Sequence, residues 1–396
     1  MQAERTEEKI AFLSNSDIAE LLSAQADKAT YPLTRAFRRA SRAAFLWPRE
    51  AGELVREGGS LCELSGVGPF LEKLIHKWLM DPPTIKSRDK LRRNFFTRAE
   101  ARRILKDHPD WIQCLRGDLQ MHTEWSDGSG TVLSMGQAAV DRNYEYIAIT
   151  DHGKQLKIAG GINEAELIEQ GQEIAAVNDQ LAEKRFRILR SIELNLDRQG
   201  NGDMAPEVLA NLDLVLAAFH SALRTVEDQT ERYLAAIRNP SVHILGHPRG
   251  RIYNYRLGLK ADWDRVFEEA AGLGKAVEID CYPDRQDLSL DLVKRARKAG
   301  VLISLGTDSH HPWQLEFIEF GLAAALAAKF PKDRILNFEP VNELLNWAAR
   351  VREQPKKKRR RFSAPTAKNV ALRCPPLKRV PRSSVGNIAA RELDRC

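Results

Sequence analysis

The feature that most constrains the fold is a regular alternation of short apolar segments with amphipathic ones between residues 117 and 350. The apolar segments predict strands near 118–122, 144–150, 187–195, 212–219, 242–246, 276–280 and 301–306. Much of the sequence between them has helical periodicity, which predicts helices, for example at 164–183, 228–238, 262–272 and 289–299. Seven strands with helical crossovers predict a parallel α/β architecture, which closed barrels and open sheets both satisfy. No G-x-G-x-x-G motif follows the first strand, so a dinucleotide-binding fold is disfavoured.

Metal-ligating residue types recur where the predicted strands end. In chain order they are His122 and Asp127, Asp151 and His152, Glu193, His220, His247, Glu278 and Asp280, and Asp308, His310 and His311. In a β/α barrel the carboxyl ends of all strands converge on one face, which brings such residues together. A mixture of imidazoles and carboxylates suits Zn²⁺, Mn²⁺ or Fe²⁺ better than Mg²⁺. The sequence therefore predicts a cluster for two or more transition-metal ions, which fits phosphoester hydrolysis.

A His or Asp at one strand end more often caps a helix or makes a hydrogen bond, but its repetition along the chain favours the metal interpretation. Three other histidines are expected outside the cluster: His243 inside a strand as a core residue, and His76 and His108 on the surface of the helical region. Glu278 and Asp280 are expected to contact either the ligands or the substrate.

These motifs together resemble a known family. G-D-L-Q-M-H-T-E-W-S-D-G, I-T-D-H, the isolated Glu193, A-F-H-S, G-H-P-R and G-T-D-S-H look like the successive motifs of the PHP (polymerase and histidinol phosphatase) domain. The resemblance covers about residues 117–350 and is greatest to the C-terminal PHP domain of bacterial family X DNA polymerases. It implies a distorted seven-stranded β/α barrel that holds three metal ions.

The resemblance also implies how the ligands divide among the ions. One ion would be held by His122, Glu193 and Asp308, a second by Glu193, His220 and His247, and a third by Asp127, His152 and His310. The family usually has a histidine where this chain has Gln120. Because an amide oxygen is a weak, neutral ligand, the first ion is expected to bind less tightly, so occupancy is expected to be two or three ions.

The family's activity implies hydrolysis of a phosphoester by metal-activated water, and in the polymerase-linked members a 3′→5′ exonuclease. Glu193, His220, Asp308 and Arg249 are the expected catalytic residues. Side chains near the strand ends are expected to bind the substrate phosphate: Arg249, Arg251, Arg285 and, less strongly, Lys154 and Lys157.

Residues 1–83 contain short helical patterns around L-S-G-V-G-P, and this turn looks like a helix-hairpin-helix motif. The segment as a whole resembles the small N-terminal domain of family X polymerases. Gly66, Val67 and Gly68 would let backbone N–H groups approach a DNA phosphate without regard to sequence, although such turns also serve packing. A basic helical connector is predicted at 84–116, before the barrel at 117–352. The chain has no room between these parts for the palm and fingers of a polymerase, so polymerase activity is not expected. Leu74 stands where some relatives have the lysine of a sugar-phosphate lyase, so lyase activity is not expected either.

Basic charge is concentrated at the ends of the chain. Residues 351–396 carry 14 Lys/Arg and 3 Asp/Glu, whereas residues 111–350 have a balance of −8 within an overall charge of +7. Six consecutive cations at 356–361 predict a disordered basic tail over 353–396, which could bind nucleic acid or simply be solvated. The polar N-terminus, the five cysteines without C-x-x-C spacing and the lack of a long apolar run favour a reduced, cytoplasmic protein without a membrane span.

Three functions remain open from the sequence. The first is a nuclease or DNA 3′-end-processing hydrolase, with DNA bound through its backbone. The second is a small-molecule phosphatase of the histidinol-phosphatase type, acting on a small phosphate ester. The third is a non-catalytic DNA-binding protein whose metal site has decayed, which only Gln120 favours.

Overall fold

The computed structural model describes residues 13–85 and 88–353. The predicted basic tail falls on residues 354–396, which lie outside the described residues, as do 1–12 and 86–87. Within the described ranges, none of the helices combines the length and apolar character that a membrane crossing requires.

Four helices form the N-terminal segment: α1 (Asn15–Ala26), α2 (Leu33–Ala44), α3 (Ala51–Arg56) and α4 (Pro69–Met80). Ser14 begins α1 through a capping box with Asp17, and α4 begins at Pro69, as its sequence predicts. Their apolar faces pack into one hydrophobic cluster that includes Ile18, Leu22, Phe37, Leu71 and Ile75. The predicted small helical segment is therefore confirmed as helical, while its assignment as a helix-hairpin-helix domain stays a prediction.

The connector between this segment and the strands is only partly helical. It contains α5 (Arg98–Leu105) and α6 (Pro109–Cys114), preceded by a single 3-10 turn at Lys90–Arg92. Thr97 starts α5 by a capping box with Glu100, which fixes where the helix begins.

Eight short strands follow: β1 (Gly117–Asp118), β2 (Tyr146–Ile149), β3 (Arg187–Arg190), β4 (Glu193–Asn195), β5 (Leu216–Ala218), β6 (Ile244–Leu245), β7 (Ala276–Asp280) and β8 (Leu302–Gly306). They form a three-stranded sheet in the order β1-β2-β3 and a five-stranded sheet in the order β4-β5-β6-β7-β8. All neighbouring strands are parallel. The α/β prediction is confirmed, and each predicted strand position is occupied, with 187–195 divided into β3 and β4.

The two sheets meet at both of their edges. At one seam Leu119 N donates to Leu305 O at 3.2 Å and Met121 bridges Ser309, which joins β1 to β8. At the other seam Asp213 N donates at 2.9 Å to the carbonyl of Arg190, the last residue of β3, and His152, after β2, bridges Glu193 of β4. The strands thus surround a common interior, but single bridges at the seams take the place of a continuously paired barrel.

Helices cover the outside of this ring, as expected when both faces of a parallel sheet are buried. They are α7 (Val132–Val140), α8 (Glu164–Gln180), α9 (Pro206–Leu209), α10 (Thr230–Arg238), α11 (Trp263–Gly272), α12 (Leu290–Ala299), α13 (Ile318–Ala327) and α14 (Val341–Glu353). Every residue of β2 and β7 is buried, so the strand ends are held by a rigid core. The polar residues at those ends therefore project into one shared region.

Candidate metal centre

Glu193, the first residue of β4, lies at the middle of the site and is fully buried. Its Oε1 is 2.9 Å from His220 Nε2 and 2.5 Å from His247 Nε2. Its Oε2 is 3.3 Å from both His122 Nε2 and His152 Nδ1. One carboxylate therefore contacts four imidazoles that follow four different strands.

A second carboxylate, Asp308, follows β8 and completes one side of the cluster. Its Oδ1 is 2.9 Å from His122 Nε2, and its Oδ2 is 2.5 Å from Arg285 Nη1. Asp308 has a φ of 52° and His247 a φ of 23°, conformations that non-glycine residues rarely adopt. Backbone strain at two candidate ligands is common at functional sites, where the fold imposes the side-chain direction.

The outer edge of the cluster is formed by Asp127, whose side chain is 35% exposed. Its Oδ1 lies 3.4 Å from His152 Nε2 and 3.3 Å from His310 Nε2. The rings of His152 and His310 each stack on His122, with centroids 4.3 and 4.5 Å apart. Asp127 and His310 are the more exposed members of the cluster, so this is its solvent-facing side.

Several ligand candidates are oriented by hydrogen bonds on their far side. His220 Nδ1 is 3.0 Å from Asn195 Oδ1, and His310 Nδ1 is 2.7 Å from the Asp308 carbonyl. The backbone N–H of His247 donates to Glu278 Oε2 at 2.6 Å. The partners of the ring nitrogens fix the tautomer and ring direction of His220 and His310, whereas Glu278 holds the backbone of His247.

Gln120 is fully buried beside Glu193 and Glu278. With its amide nitrogen directed at Glu278, it donates to Oε1 at 2.5 Å and to Oε2 at 2.8 Å. The amide oxygen then occupies the position 3.4 Å from Glu193 Oε2. In this orientation Gln120 presents a neutral oxygen to the cluster.

The electrostatics of the site are those of closely packed opposite charges. Burial alone would raise the pKa of Glu193, but positive charge on His152, His247 and His220 lowers it well below its usual range. Burial also opposes the charged form of His122, yet Asp308 and Glu193 raise its pKa well above the ordinary value. The same carboxylates that attract a proton to His122 would attract a metal cation.

Three sets of donor atoms have the geometry to hold a metal ion, each with its atoms within 4.8 Å of one another. They are His122, Asp127, His152 and His310; His152, Glu193 and His220; and His122, Glu193 and Asp308. His122 Nδ1 is buried without a hydrogen-bond partner among the described residues. The mixed nitrogen and oxygen donors and this free buried nitrogen fit transition-metal ions, so side-chain sets suited to more than one ion are present.

These sets resemble the division implied by the sequence, with two differences. The set around Asp308 has the expected members, and the set around Asp127 has the expected members together with His122. The set around His220 contains His152 in place of His247, although His247 Nε2 still contacts Glu193. The eight predicted ligands therefore lie together, while their assignment to particular ions stays a prediction.

Of the cations predicted to bind phosphate, Arg285 lies at the cluster, through its contact with Asp308. Lys154 instead pairs with Glu164 at 2.5 Å, Lys157 is exposed, and Arg249 donates from Nη2 to Leu257 O at 2.7 Å.

The expectation for Arg251 needs correction. Its guanidinium is buried over the Phe95 ring, 3.8 Å from the centroid, and donates to the carbonyls of Arg93 and Asn94. These contacts hold the connector to the barrel. The position of Arg251 after a strand end does not reveal them, because its long side chain reaches an apolar site away from the cluster.

Two further arginines, Arg224 and Arg256, were not singled out from the sequence. Burial and the positive charges of Arg285 and Arg224 lower the pKa of Arg256. Arg224 also lies over the exposed Tyr255 ring, 4.6 Å from its centroid. Both residues lie in loops after strand ends: Arg224 follows His220 by four residues and Arg256 follows His247 by nine.

The remaining predicted residues have simpler environments. Gly66 has a φ of +78°, and a Cβ there would lie 3.1 Å from Ala43 Cβ, so packing against α2 also requires glycine. Val67 is buried, and no atom lies within 4 Å of a Cβ built on Gly68. His243 is fully buried, whereas His76 and His108 are exposed, as predicted.

No family model matches the chain. Among curated proteins it is 33% identical over 231 residues to the DNA polymerase/3′-5′ exonuclease PolX of Bacillus subtilis, which covers 58% of this chain and 40% of that protein. A probable phosphatase of Thermoanaerobacter sp. is 26% identical over 257 residues, covering 62% of this chain and 96% of that protein. The probable phosphatase YcdX of Escherichia coli is 28% identical over 235 residues, with coverages of 58% and 92%.

Among solved structures, histidinol phosphate phosphatase of Lactococcus lactis, in complex with zinc, L-histidinol and phosphate, matches with a TM-score of 0.40 and 19% identity over 55% of this chain and 94% of that one. The chain spans less than half of PolX and nearly all of the probable phosphatases. The curated relatives and the donor sets support a metal-dependent phosphoesterase. They also confirm the resemblance predicted from the motifs, because the chain is similar in sequence both to PolX and to the probable phosphatases.

Proposed function

We propose that the protein is a metal-dependent phosphoesterase that removes nucleotides from the 3′ end of a DNA strand. The observation that carries the hydrolytic part is Glu193, shared by His122, His152, His220 and His247 in one buried cluster. The DNA part is supported by the similarity to PolX and by the separate helical segment that precedes the strands.

Bound transition-metal ions would supply Lewis-acid stabilisation of phosphate oxygens and a hydroxide-like nucleophile at neutral pH. The predicted ligands that would hold them are His122, Asp127, His152, Glu193, His220, His247, Asp308 and His310, with Gln120 as a weak oxygen donor. Asn195 orients the ring of His220, and Glu278 holds the backbone of His247.

Arg285 is the residue best placed to bind the reacting phosphate. It contacts Asp308, yet 31% of its side chain stays exposed at the cluster. A guanidinium has five N–H donors, so those not used by Asp308 can bind phosphate oxygens. Its positive charge also offsets the buried Asp280, whose Oδ2 lies 3.8 Å away.

The test is shortening of an oligonucleotide labelled at its 5′ end, with Mn²⁺ added to metal-free protein. We expect stepwise shortening from the 3′ end, and loss of that activity in Glu193→Gln. Equal shortening by Glu193→Gln would assign the activity to a contaminant, and absence of shortening by clean wild-type protein would reject the nuclease proposal.

A second candidate is a phosphatase for small phosphate monoesters. It is favoured by alignments that cover 96% and 92% of two probable phosphatases. A panel of small monoesters that includes histidinol phosphate separates the two, since turnover of a monoester without oligonucleotide shortening selects this candidate.

A further inference from the structure

Helix α10 places two adjacent side chains against loops that carry candidate metal ligands. Arg232 Nη2 donates to the carbonyl of Ser221 at 2.9 Å, and the hydroxyl of Tyr233 donates to the carbonyl of Pro248. Each of these carbonyls belongs to the residue that directly follows a histidine of the cluster. Because consecutive residues of an α-helix are rotated by about 100° from each other, one helix can support two different loops in this way.

The two histidines concerned, His220 and His247, share one carboxylate oxygen. His220 Nε2 lies 2.9 Å and His247 Nε2 lies 2.5 Å from Glu193 Oε1, and the two rings meet edge to face with centroids 5.3 Å apart. A metal ion held by both rings needs both nitrogens directed at the same point. Since the histidines follow different strands, β5 and β6, a common support for their two loops would provide that alignment.

Arg232 contacts the chain on both sides of His220. Its guanidinium carbon lies 3.9 Å from the centroid of the buried Phe219 ring, and its Nη2 binds the carbonyl of Ser221 on the other side of the histidine. The imidazole of His220 is held separately, because its Nδ1 is 3.0 Å from Asn195 Oδ1. Both the ring and the backbone of this candidate ligand are therefore constrained.

An ion pair does not explain the burial of Arg232. Its side chain is buried, yet no carboxylate lies within 4.0 Å of it in the part of the chain that the structure describes, and its Nε and Nη1 have no hydrogen-bond partner there. Burial lowers the pKa of this guanidinium, as expected for a charge taken out of water. An apolar side chain of similar length would fill the space without that cost. The contacts on either side of His220 therefore account for Arg232 better than packing does.

Tyr233 has the corresponding position beside His247. Its fully buried ring packs edge-on against Phe219 and is tilted against Trp263, with centroids 5.5 and 4.8 Å away. The ring therefore has little freedom to turn, and its hydroxyl stays directed at the carbonyl of Pro248. Because His247 has a φ of 23°, a hydrogen bond to the following residue helps to hold a backbone conformation that non-glycine residues rarely adopt.

The first turn of α10 is held by contacts outside the cluster. Thr230 N donates to Asp228 Oδ1 at 2.9 Å, and Thr230 Oγ1 accepts from Asp262 N at 2.7 Å. The position of the helix is therefore set by residues that are not candidate metal ligands, so it can act as a fixed support for the two histidine loops.

We propose that Arg232 and Tyr233 are positioning residues that direct His220 and His247 at one metal ion shared with Glu193. Neither side chain belongs to the donor sets, and each acts through the backbone next to a ligand. This role rests on the proposed metal-dependent function, because it concerns the same cluster. Removing either contact should weaken the binding of one ion and change its coordination, while the metal-free fold is retained.

The test uses Tyr233→Phe and Arg232→Met in the full-length chain, since each removes a hydrogen bond to a carbonyl and keeps most of the buried volume. Tyr146→Phe and Arg352→Met are the matched controls. The hydroxyl of Tyr146, the first residue of β2, and Nη2 of Arg352 also donate to backbone carbonyls, but away from the strand ends that carry the cluster.

Titration of the metal-free proteins with Co²⁺, which accepts the same nitrogen and oxygen donors, gives the affinity and the number of ions bound. The visible absorption of bound Co²⁺ reports its coordination. The melting temperature of each metal-free protein shows whether the fold is retained.

We expect one ion to bind about tenfold more weakly in each α10 variant, with an altered Co²⁺ spectrum, whereas both controls should bind Co²⁺ like wild type. Arg232→Lys, which can still donate to the carbonyl of Ser221, should recover part of the lost affinity. Unaltered Co²⁺ affinity and spectrum in both α10 variants would overturn the proposal, even if their metal-free melting temperatures fell, because the contacts would then serve stability alone. An equal loss of affinity in the controls would overturn it as well.

Hydrolysis of p-nitrophenyl phosphate and of a 5′-labelled oligonucleotide, measured on the same proteins, separates this proposal from the proposed function. Weaker Co²⁺ binding in the α10 variants, without hydrolysis of either ester by wild type, would reject the function and support the positioning role. Hydrolysis by wild type, with unaltered Co²⁺ binding in the α10 variants, would keep the function and overturn the positioning role. If both proposals hold, the α10 variants should lose turnover at low Co²⁺ and regain it as Co²⁺ exceeds the weaker dissociation constant, with little change in KM.

Discussion

At the scale of single residues, one member of the cluster, Gln120, is a weaker candidate ligand than the others because its side chain is a neutral amide. Gln120 is held by Glu278 and offers at most an amide oxygen, whereas the surrounding donors are imidazoles and carboxylates. A neutral oxygen contributes less to binding a divalent transition metal than an imidazole does. The affinity of the first ion should therefore be limited at this position.

Gln120→His is expected to increase metal affinity. A histidine at 120 could present a nitrogen to the ion held by His122, Glu193 and Asp308, although it would give up the hydrogen bonds to Glu278. We expect about tenfold tighter binding of one ion, which corresponds to about 1.4 kcal/mol. Competition with a chromogenic chelator measures the affinity, and elemental analysis measures the number of ions per chain. An unchanged affinity would show that position 120 does not face a metal.

His220→Ala is expected to lower phosphoesterase activity by more than tenfold. The substitution removes a nitrogen 2.9 Å from Glu193 Oε1 and breaks the hydrogen bond with Asn195. Because His220 lies at the edge of the core, the fold should persist, with an unchanged far-ultraviolet dichroism spectrum. His311→Ala is the matched control, since His311 is exposed next to His310 and belongs to none of the donor sets. Unchanged turnover in His220→Ala would remove His220 from the ligand set.

At the scale of secondary-structure elements, the sequence predicts strand positions well because burial on both faces leaves continuous apolar runs. Polar residues that interrupt such a run, as at Glu193 and Asp308, then indicate the strand ends. The division of 187–195 is not predictable from the sequence, because Ser191 and Ile192 are both buried and neither glycine nor proline separates β3 from β4. Nor does periodicity reveal where a long side chain ends: Arg251, expected at the phosphate site, lies over the Phe95 ring instead.

One element should be sensitive to acid. His243, just before β6, is fully buried, and its Nδ1 accepts a hydrogen bond from Val215 N at 3.0 Å. Burial, followed by the charges of Arg352 and Lys275, lowers its pKa to about 3. In the unfolded chain the pKa is about 6.5. Below pH 6.5 the unfolded state therefore gains a proton that the native state does not bind, and stability falls as the pH decreases towards 3.

His243→Asn should reduce this sensitivity. Asparagine Oδ1 can still accept the hydrogen bond from Val215 N, but asparagine does not titrate. The variant therefore avoids the loss of about 2 kcal/mol in free energy of unfolding that His243 causes between pH 7 and pH 5. Urea unfolding at both pH values gives the free energies of unfolding. The free energy of unfolding of wild type should exceed that of the variant by less at pH 5 than at pH 7, or fall below it. A difference that does not change with pH would show that His243 is not protonated differently in the two states.

At the scale of the whole molecule, the helical segment and the strands share a hydrophobic contact. Tyr253, from a loop after β6, is buried in the cluster of the N-terminal helices and packs edge-on against Phe45 and Phe95. The N–H of Tyr253 donates to Asp284 O at 2.7 Å, and the next residue, Arg285, contacts Asp308 in the cluster. A few residues therefore connect the helical segment to the candidate site.

Tyr253→Ala should weaken this contact. Removing a buried aromatic ring costs about 3 kcal/mol, and here the loss falls on the boundary between segment and barrel. We expect a lower melting temperature and faster cleavage by trypsin near residues 84–97, while Tyr255→Ala, at an exposed ring in the same loop, should behave like wild type. Equal protease resistance of both variants would show that Tyr253 does not hold the two parts together.

Metal removal should affect the stability of the whole barrel, because the cluster joins residues from both sheets. His122 and His152 follow β1 and β2 of one sheet, whereas Glu193, His247 and Asp308 belong to or follow strands of the other. A ligand that binds only the native state at a thousand times its dissociation constant stabilises it by about 4 kcal/mol. EDTA should therefore lower the melting temperature of wild type, and added Mn²⁺ or Zn²⁺ should restore it.

Since metal competes with protons for imidazole nitrogens, the increase in melting temperature on adding metal should be smaller at pH 6 than at pH 8. Glu193→Gln, which removes the charge shared by four histidines, should show little response to either treatment. A wild-type melting temperature that ignores both EDTA and added metal would contradict the metal centre itself.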